Sequence, residues 1–160
     1  MTTVEIDGRA AGIHANMAHT VVGHPKCGKL HGHDVSLSVR ISATKLDPLG
    51  FVVDFSWVKD AMRAFLKSID HAGFIVPESA LGPVDDNGYV TVRQGKDFFV
   101  LPADQVHGVP VTATTAEEMA KFALRWVVAA IPTADRDRIE ELEVTYWETD
   151  STGATEQWKE

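Results

Sequence analysis

The stretch from His33 to Ser42 limits the fold more than any other part of the sequence. Its apolar residues occupy every second position, with polar residues between them. The apolar positions are Val35, Leu37, Val39 and Ile41. Because successive side chains of a β-strand point to opposite faces, this period predicts a strand with one face in the core. A chain of 160 residues can bury one such core, so we expect a single domain over residues 1–160.

Two amphipathic helices are predicted after this strand. Apolar residues recur at three- and four-residue spacing from Ser56 to Ile69 and again from about Thr115 to Ile131. A strand that ends at His19 precedes them, a short apolar strand covers residues 51–53, and a last strand leads to Glu148. This order of elements predicts an α+β fold, in which two helices cover one face of an antiparallel sheet.

The segment of about residues 73–112 interrupts the regular pattern. It contains four of the seven prolines and two extended runs, Tyr89 to Arg93 and Phe98 to Leu101. The residues between these runs, Gln94-Gly95-Lys96-Asp97, are typical of a hairpin turn. We interpret the segment as an insert that forms a lid or extends a subunit contact.

The formal net charge of −8 argues against nucleic acid as a partner, because nucleic-acid binding relies on broad neutralisation of phosphates. A local pair of cations, Lys26 and Lys29, still permits an anionic small molecule to bind. No run of about twenty apolar residues and no signal-peptide pattern is present. We therefore expect a soluble, cytoplasmic protein without a membrane partner.

Four histidines and the only cysteine lie within the fifteen residues from His19 to His33. Residues two apart in a strand share a face, so His31 and His33 can reach one ion, and a paired strand that ends at His19 adds a third imidazole. Three neutral imidazoles leave one tetrahedral position of zinc open, which is typical of a catalytic site. An isolated His-Gly-His sequence is more often only a polar strand end.

Cys27 lies in a glycine-containing loop close to two lysines, where a thiolate is favoured over a thiol. Its spacing to His31 leaves two roles open. The thiolate either reacts with a substrate or serves as a fourth zinc ligand, which would close the site.

Several motifs, taken in chain order, resemble the 6-carboxytetrahydropterin and 6-pyruvoyltetrahydropterin synthase family. The segment Cys27-Gly28-Lys29-Leu30-His31-Gly32-His33 resembles the Cys-x-x-x-His-x-His signature of that family. Matching motifs before and after it are Met17-Ala18-His19, Val52-Val53-Asp54-Phe55, Asp70-His71, Thr115-Ala116-Glu117 and Tyr146-Trp147-Glu148-Thr149. The resemblance covers nearly the whole chain except the insert.

The resemblance implies a role for each group of site residues. It implies that zinc is the cofactor, that Cys27 is the general base, and that Asp70 with His71 relays a proton. The implied zinc ligands are His19, His31 and His33. Without the resemblance, Asp70 and His71 would be read as a polar pair at the end of a helix.

A second set of residues is implied to bind the pterin ring of the substrate. Glu148 resembles the family's pterin anchor, since a carboxylate accepts two hydrogen bonds from adjacent N–H groups. Thr115 and Glu117 are implied to contact the ring as well. The alternative for Glu148 is an exposed glutamate at a strand end, and the alternative for the other two is capping of the second helix.

The resemblance is greatest to the 6-carboxytetrahydropterin synthases of the queuosine and 7-deazapurine route. These lyases convert 7,8-dihydroneopterin triphosphate to 6-carboxy-5,6,7,8-tetrahydropterin, acetaldehyde and triphosphate. One alternative is 6-pyruvoyltetrahydropterin synthase, which eliminates triphosphate without cutting the carbon chain, and another is a non-catalytic pterin-binding homologue. The resemblance also implies the tunnelling fold (T-fold), in which sheets of several subunits join into a barrel, as a hexamer of two trimers.

Overall fold

The main sheet is built around its longest strand, β3 (His31–Ala43). The computed structural model describes residues 1–159. Three strands pair with β3 in antiparallel fashion. They are β1 (Thr2–Asp7), β2 (His14–His19) and β9 (Glu141–Trp147), and β10 (Gly153–Lys159) continues the sheet beyond β9. The alternating residues of β3 are buried as predicted, and so are the alternating residues of β2.

Two long helices cover one face of this sheet, which confirms the predicted α+β architecture. They are α1 (Phe55–Ile69) and α2 (Ala116–Ala129), and a one-turn helix, α3 (Thr133–Arg136), follows. Phe65 of α1 is fully buried, and its ring meets the rings of Phe122 and Trp126 of α2 edge-on, with centroids 5.2 and 5.9 Å apart. In the part of the chain covered by the structure, no helix is long and apolar enough to cross a membrane.

Side-chain caps begin both long helices. The Asp54 carboxylate accepts a hydrogen bond from the backbone N–H of Ser56 at 2.8 Å, and Thr115 Oγ1 accepts one from the N–H of Glu118 at 3.4 Å. Only one half of a capping box therefore forms at Thr115. The Glu118 carboxylate instead accepts hydrogen bonds from Lys121 Nζ at 2.7 Å and from Thr112 Oγ1 at 3.1 Å.

The segment of residues 73–112 contributes strands to two sheets. Within it, β4 (Phe74–Pro77) pairs in parallel with β2 and with β8 (Val106–Val109), so one edge of the main sheet is parallel rather than antiparallel. The remaining strands form a small antiparallel sheet. They are β5 (Leu81–Val84), β6 (Tyr89–Gln94) and β7 (Asp97–Pro102), and the β6–β7 pairing confirms the predicted hairpin.

Two local predictions were wrong. Residues 51–53 form no strand, and the backbone carbonyls of Phe51 and Val52 accept hydrogen bonds from the guanidinium of Arg138 instead, at 3.3 and 3.0 Å. The second helix was predicted to run to about Ile131, but it ends at Ala129, and Ala130 is its exposed C-cap.

Candidate active site

Three histidine rings meet where β2 and β3 pair. His19 lies directly opposite His31 in the antiparallel register, and His33 lies two residues further along the same face of β3. The three ring centroids are 4.7 to 5.1 Å apart. Gly32 permits this close pairing, since a Cβ at that position would lie 2.9 Å from the Met17 carbonyl oxygen.

The nitrogen atoms of these rings are arranged as a metal site. One ligand atom from each histidine lies within 4.8 Å of the other two. Among residues 1–159, this group of neighbouring ligand atoms includes three imidazoles and neither the Cys27 thiol nor a carboxylate. The geometry therefore resembles an open three-histidine site more than a closed site with cysteine as the fourth ligand.

Backbone carbonyls orient two of the three rings. His19 Nδ1 donates to the Thr114 carbonyl oxygen at 2.7 Å, and His31 Nδ1 donates to that of Lys29 at 2.6 Å. The lone pair of each ring is thereby left on Nε2. His19 Nε2 is buried without a hydrogen-bond partner, which costs about 1–3 kcal/mol unless a ligand binds it. An electron-pair acceptor such as zinc fits this nitrogen.

Burial favours the neutral form of two of these imidazoles, His19 and His33. It lowers the pKa of His19 to about 4, against the opposing effect of the Thr114 carbonyl, and His31 and His33 lower it further by charge repulsion. The pKa of His33 is also lowered by burial, although the charge of Glu148 acts in the opposite direction. Metal ions bind the neutral form of histidine, so the site is prepared for a cation at neutral pH.

His24 organises the loop that carries Cys27. Its Nδ1 accepts a hydrogen bond from the backbone N–H of Cys27 at 2.9 Å and a longer one from Lys26 at 3.3 Å. Its carbonyl accepts the N–H of Gly28 at 2.9 Å, so closely that a Cβ on Gly28 would lie 2.5 Å from that oxygen. The thiol of Cys27 is half-buried. No local sequence pattern predicts this role for His24, because its contacts form only when the loop closes.

A cleft of about 380 Å³ brings Cys27 together with the residues implied to bind the substrate ring. Its lining includes Cys27, Thr115, Glu117 and Glu148. Glu148 directly follows β9, and its Oε1 lies 3.8 Å from His19 Nε2. At neutral pH this is a contact between a neutral ring and a carboxylate, because the pKa of His19 is near 4. The cleft therefore adjoins the histidine cluster.

Thr115 has two roles in the structure. It lines the cleft and also caps α2, so the capping alternative that the sequence left open is realised beside the proposed one. Glu117 is exposed in the first turn of the same helix. A carboxylate at this position also stabilises the helix through its dipole.

Asp70 and His71 lie apart from the Cys27 cleft in the single chain. Asp70 ends α1 and accepts hydrogen bonds from the backbone N–H of Asn16 at 2.8 Å and from His71 Nδ1 at 2.9 Å. The Asn16 N–H is the main reason that the pKa of Asp70 is lowered, and His71 and His14 add smaller effects. His71 has a φ of 51°, unusual for a residue other than glycine, and its side chain is 75% exposed. The pair is formed, but it faces outward.

The sequence profile described as 6-pyruvoyl tetrahydropterin synthase matches residues 11–158. The chain belongs to this family. A Methanocaldococcus jannaschii protein, provisionally named a 6-carboxy-5,6,7,8-tetrahydropterin synthase, is 27% identical over 154 residues, which cover 94% of this chain and 93% of the relative. The Rickettsia felis 6-carboxy-5,6,7,8-tetrahydropterin synthase is 39% identical over 62 residues, or 38% of this chain and 45% of the relative.

The fold of this pterin synthase family member matches that of a solved relative. The crystal structure of the Plasmodium vivax 6-pyruvoyl tetrahydropterin synthase superimposes with a TM-score of 0.84 at 22% identity, and covers 99% of this chain and 98% of that one. The T-fold expected from the sequence motifs is thus confirmed at the level of the subunit.

Proposed function

We propose that this chain is a zinc-dependent 6-carboxy-5,6,7,8-tetrahydropterin synthase that acts on 7,8-dihydroneopterin triphosphate. The observation that carries this proposal is the single cleft that contains Cys27 and Glu148 and adjoins the three-histidine cluster. The cluster supplies a place for a cation, the thiol supplies a base, and the carboxylate supplies an anchor. Family membership makes a pterin the expected substrate.

The histidine cluster would hold the metal. Zinc bound by His19, His31 and His33 would act as a Lewis acid that acidifies hydroxyl groups on the side chain of the substrate. The carbonyl oxygens of Thr114 and Lys29 keep two of these rings in the tautomer that leaves Nε2 available.

Glu148 would set the orientation of the ring. An ionised carboxylate that accepts two N–H hydrogen bonds fixes both the position and the rotation of a planar heterocycle. Because Glu148 lies 3.8 Å from His19 Nε2, a ring held there would lie within reach of the histidine cluster. Thr115 and Glu117, on the same cleft wall, would add contacts to the ring.

Cys27 would remove the proton bound to carbon. Its position in the cleft, with its backbone N–H held by His24, keeps the thiol at a fixed place relative to an anchored ring. A thiolate is a competent general base when the proton that it removes has been acidified.

Asp70 and His71 would complete the site of a neighbouring subunit. The exposed His71 ring and its hydrogen bond to Asp70 suit a proton relay, yet the pair does not line the Cys27 cleft of its own chain. The main sheet ends in the unpaired edges of β8 and β10, which association into a barrel would cover. We propose a hexamer of two trimers with the active sites between subunits.

The decisive experiment compares zinc-loaded wild type with Cys27→Ala. We expect the wild type to convert 7,8-dihydroneopterin triphosphate to 6-carboxytetrahydropterin, acetaldehyde and triphosphate, identified by mass spectrometry. The variant should keep its zinc and lose turnover. A pyruvoyl product would favour 6-pyruvoyltetrahydropterin synthase instead, and tight pterin binding without turnover in either protein would favour a non-catalytic homologue.

A further inference from the structure

A network of buried polar residues, joined by side-chain and backbone hydrogen bonds, connects the β6–β7 hairpin to the histidine cluster. Six polar side chains are buried among residues 1–159, and four of them belong to this network. The four are Gln94, Thr20, Thr114 and His19. Each is at most 6% exposed, so the hydrogen bonds that join them are shielded from water.

Three hydrogen bonds lead from Gln94 to His19. Thr20 Oγ1 donates to Gln94 Oε1, and Thr114 Oγ1 donates to the backbone carbonyl of Thr20 at 3.1 Å. The carbonyl of Thr114 then accepts the Nδ1–H of His19 at 2.7 Å. Gln94 and Thr114 are distant in sequence from His19, yet these hydrogen bonds connect them to its ring.

A second contact joins the same hairpin to the loop that carries Cys27. Gly95 begins the β6–β7 turn with a φ of +61°, and a Cβ at this position would lie 2.9 Å from Val22 Cγ1. Val22 belongs to the segment between β2 and Cys27. The hairpin therefore packs against the first part of this segment, at Thr20 and at Val22.

We propose that Gln94 and Thr20 are positioning residues that hold His19 in its metal-binding orientation, and that the β6–β7 hairpin thereby supports the metal site. Hydrogen-bond partners behind a metal ligand fix its tautomer and ring direction, and their loss weakens metal binding by about 10–100-fold. The inference rests on the proposed metal binding by the three histidines. In this proposal, part of the insert supports the metal site instead of acting as a lid.

Two substitutions of Thr20 separate the hydroxyl from the shape of the side chain. Thr20→Val removes the donor and keeps the volume, while Thr20→Ser keeps the donor. We expect the Zn²⁺ dissociation constant of the apo-protein, measured by competition with a chromogenic chelator, to rise about tenfold in Thr20→Val. In Thr20→Ser it should stay within about threefold of wild type. Equal affinity of Thr20→Val and wild type would overturn the proposal, as would equal weakening in both variants.

A double-mutant cycle tests whether Gln94 of the hairpin acts through Thr20. Its result comes from comparing several variants, so it does not rely on the behaviour of any single one. Gln94→Leu alone should weaken Zn²⁺ binding about as much as Thr20→Val, and the double variant should be no weaker than the worse single variant. Additive losses would show that the two residues act separately and would contradict the proposal. Thr91→Val, a change on the same hairpin at a half-buried position, is the matched control and should bind Zn²⁺ as wild type does.

A spectroscopic measurement gives an independent readout of ring orientation. With Co²⁺ in place of zinc, the visible d–d bands of Thr20→Val should shift relative to wild type, whereas those of Thr91→Val should not. An unchanged spectrum together with unchanged affinity would exclude the positioning role. Failure of the wild type itself to bind one Zn²⁺ per chain would instead reject the proposed metal site, so the two failures are distinguishable.

Discussion

The Nε2 atom of His19 lies 3.8 Å from Oε1 of Glu148, although the two residues are far apart in sequence. His19 ends β2 and Glu148 follows β9. The strand β2 pairs with one edge of β3, and β9 pairs with the other edge. The central strand therefore brings a proposed metal ligand and a proposed substrate anchor to one end of the sheet.

Removal of a histidine from the cluster should abolish stoichiometric zinc binding. We expect His33→Ala to raise the Zn²⁺ dissociation constant by more than about 100-fold, because loss of a direct ligand costs more than loss of an outer partner. Zinc content per chain after dialysis, measured by plasma mass spectrometry, gives the result. His107→Ala, a change in β8 outside the cluster, should retain one zinc per chain. Equal zinc in both variants would contradict the site.

Acid should destabilise the metal-free protein because His19 is buried in its neutral form. The pKa of His19 is about 4 in the folded protein and 6.5 when unfolded, so the unfolded state binds more protons between these values. The free energy of unfolding should therefore fall as the pH drops from 6.5 to 4, by about 3 kcal/mol. Urea unfolding of apo-protein at several pH values measures this slope, and it should be shallower in His19→Gln. A flat profile in the wild type would show that His19 is not buried in neutral form.

Loss of the carboxylate at position 148 should weaken pterin binding and leave zinc in place. Two charge-assisted hydrogen bonds are each worth about 1.5–3 kcal/mol, so we expect Glu148→Gln to raise KM by at least roughly 10-fold. Fluorescence titration with neopterin provides a second measurement without turnover. Glu143→Gln is the control, since this residue of β9 pairs with the exposed Arg40. Similar effects in both variants would remove Glu148 from the proposed anchor role.

Two inactive variants should restore activity when they assemble together. If His71 serves the Cys27 of a neighbouring subunit, hetero-oligomers of Cys27→Ala and His71→Ala contain some sites with both groups intact. Co-expressed and co-purified mixtures should then be active, whereas each variant alone is not. Oligomers without activity, shown to contain both chains, would place the pair in the site of its own chain or outside catalysis.

The aromatic contact between α1 and α2 should be a major contributor to stability. Phe65 is fully buried against Phe122 and Trp126, so Phe65→Ala should lower the free energy of unfolding by about 3–5 kcal/mol. Phe98→Ala, at a position 64% exposed, should change it by less than about 0.5 kcal/mol. Urea unfolding of both variants compares the two costs. Equal costs would mean that α1 and α2 do not pack against each other as described.

Much of the sheet and both long helices could be predicted from periodicity. The alternation in β3 and the three- and four-residue spacing in α1 are local properties, and they predict which residues face the core. Strands without a clear pattern were missed, among them β1 and β10. The parallel pairing of β4 with β2 and β8 was also missed, because a four-residue strand carries too little pattern to specify its neighbours.

The sequence by itself determined which residues share a face of each strand and how the motifs are spaced. Once β2 pairs with β3, this spacing brings His19, His31 and His33 together. Only the tertiary structure decided which atoms support that cluster. The Thr114 carbonyl that orients His19, the Gln94 side chain behind Thr20, and the separation of His71 from Cys27 depend on contacts between distant segments. Such contacts arise from packing and loop closure, which no local period encodes.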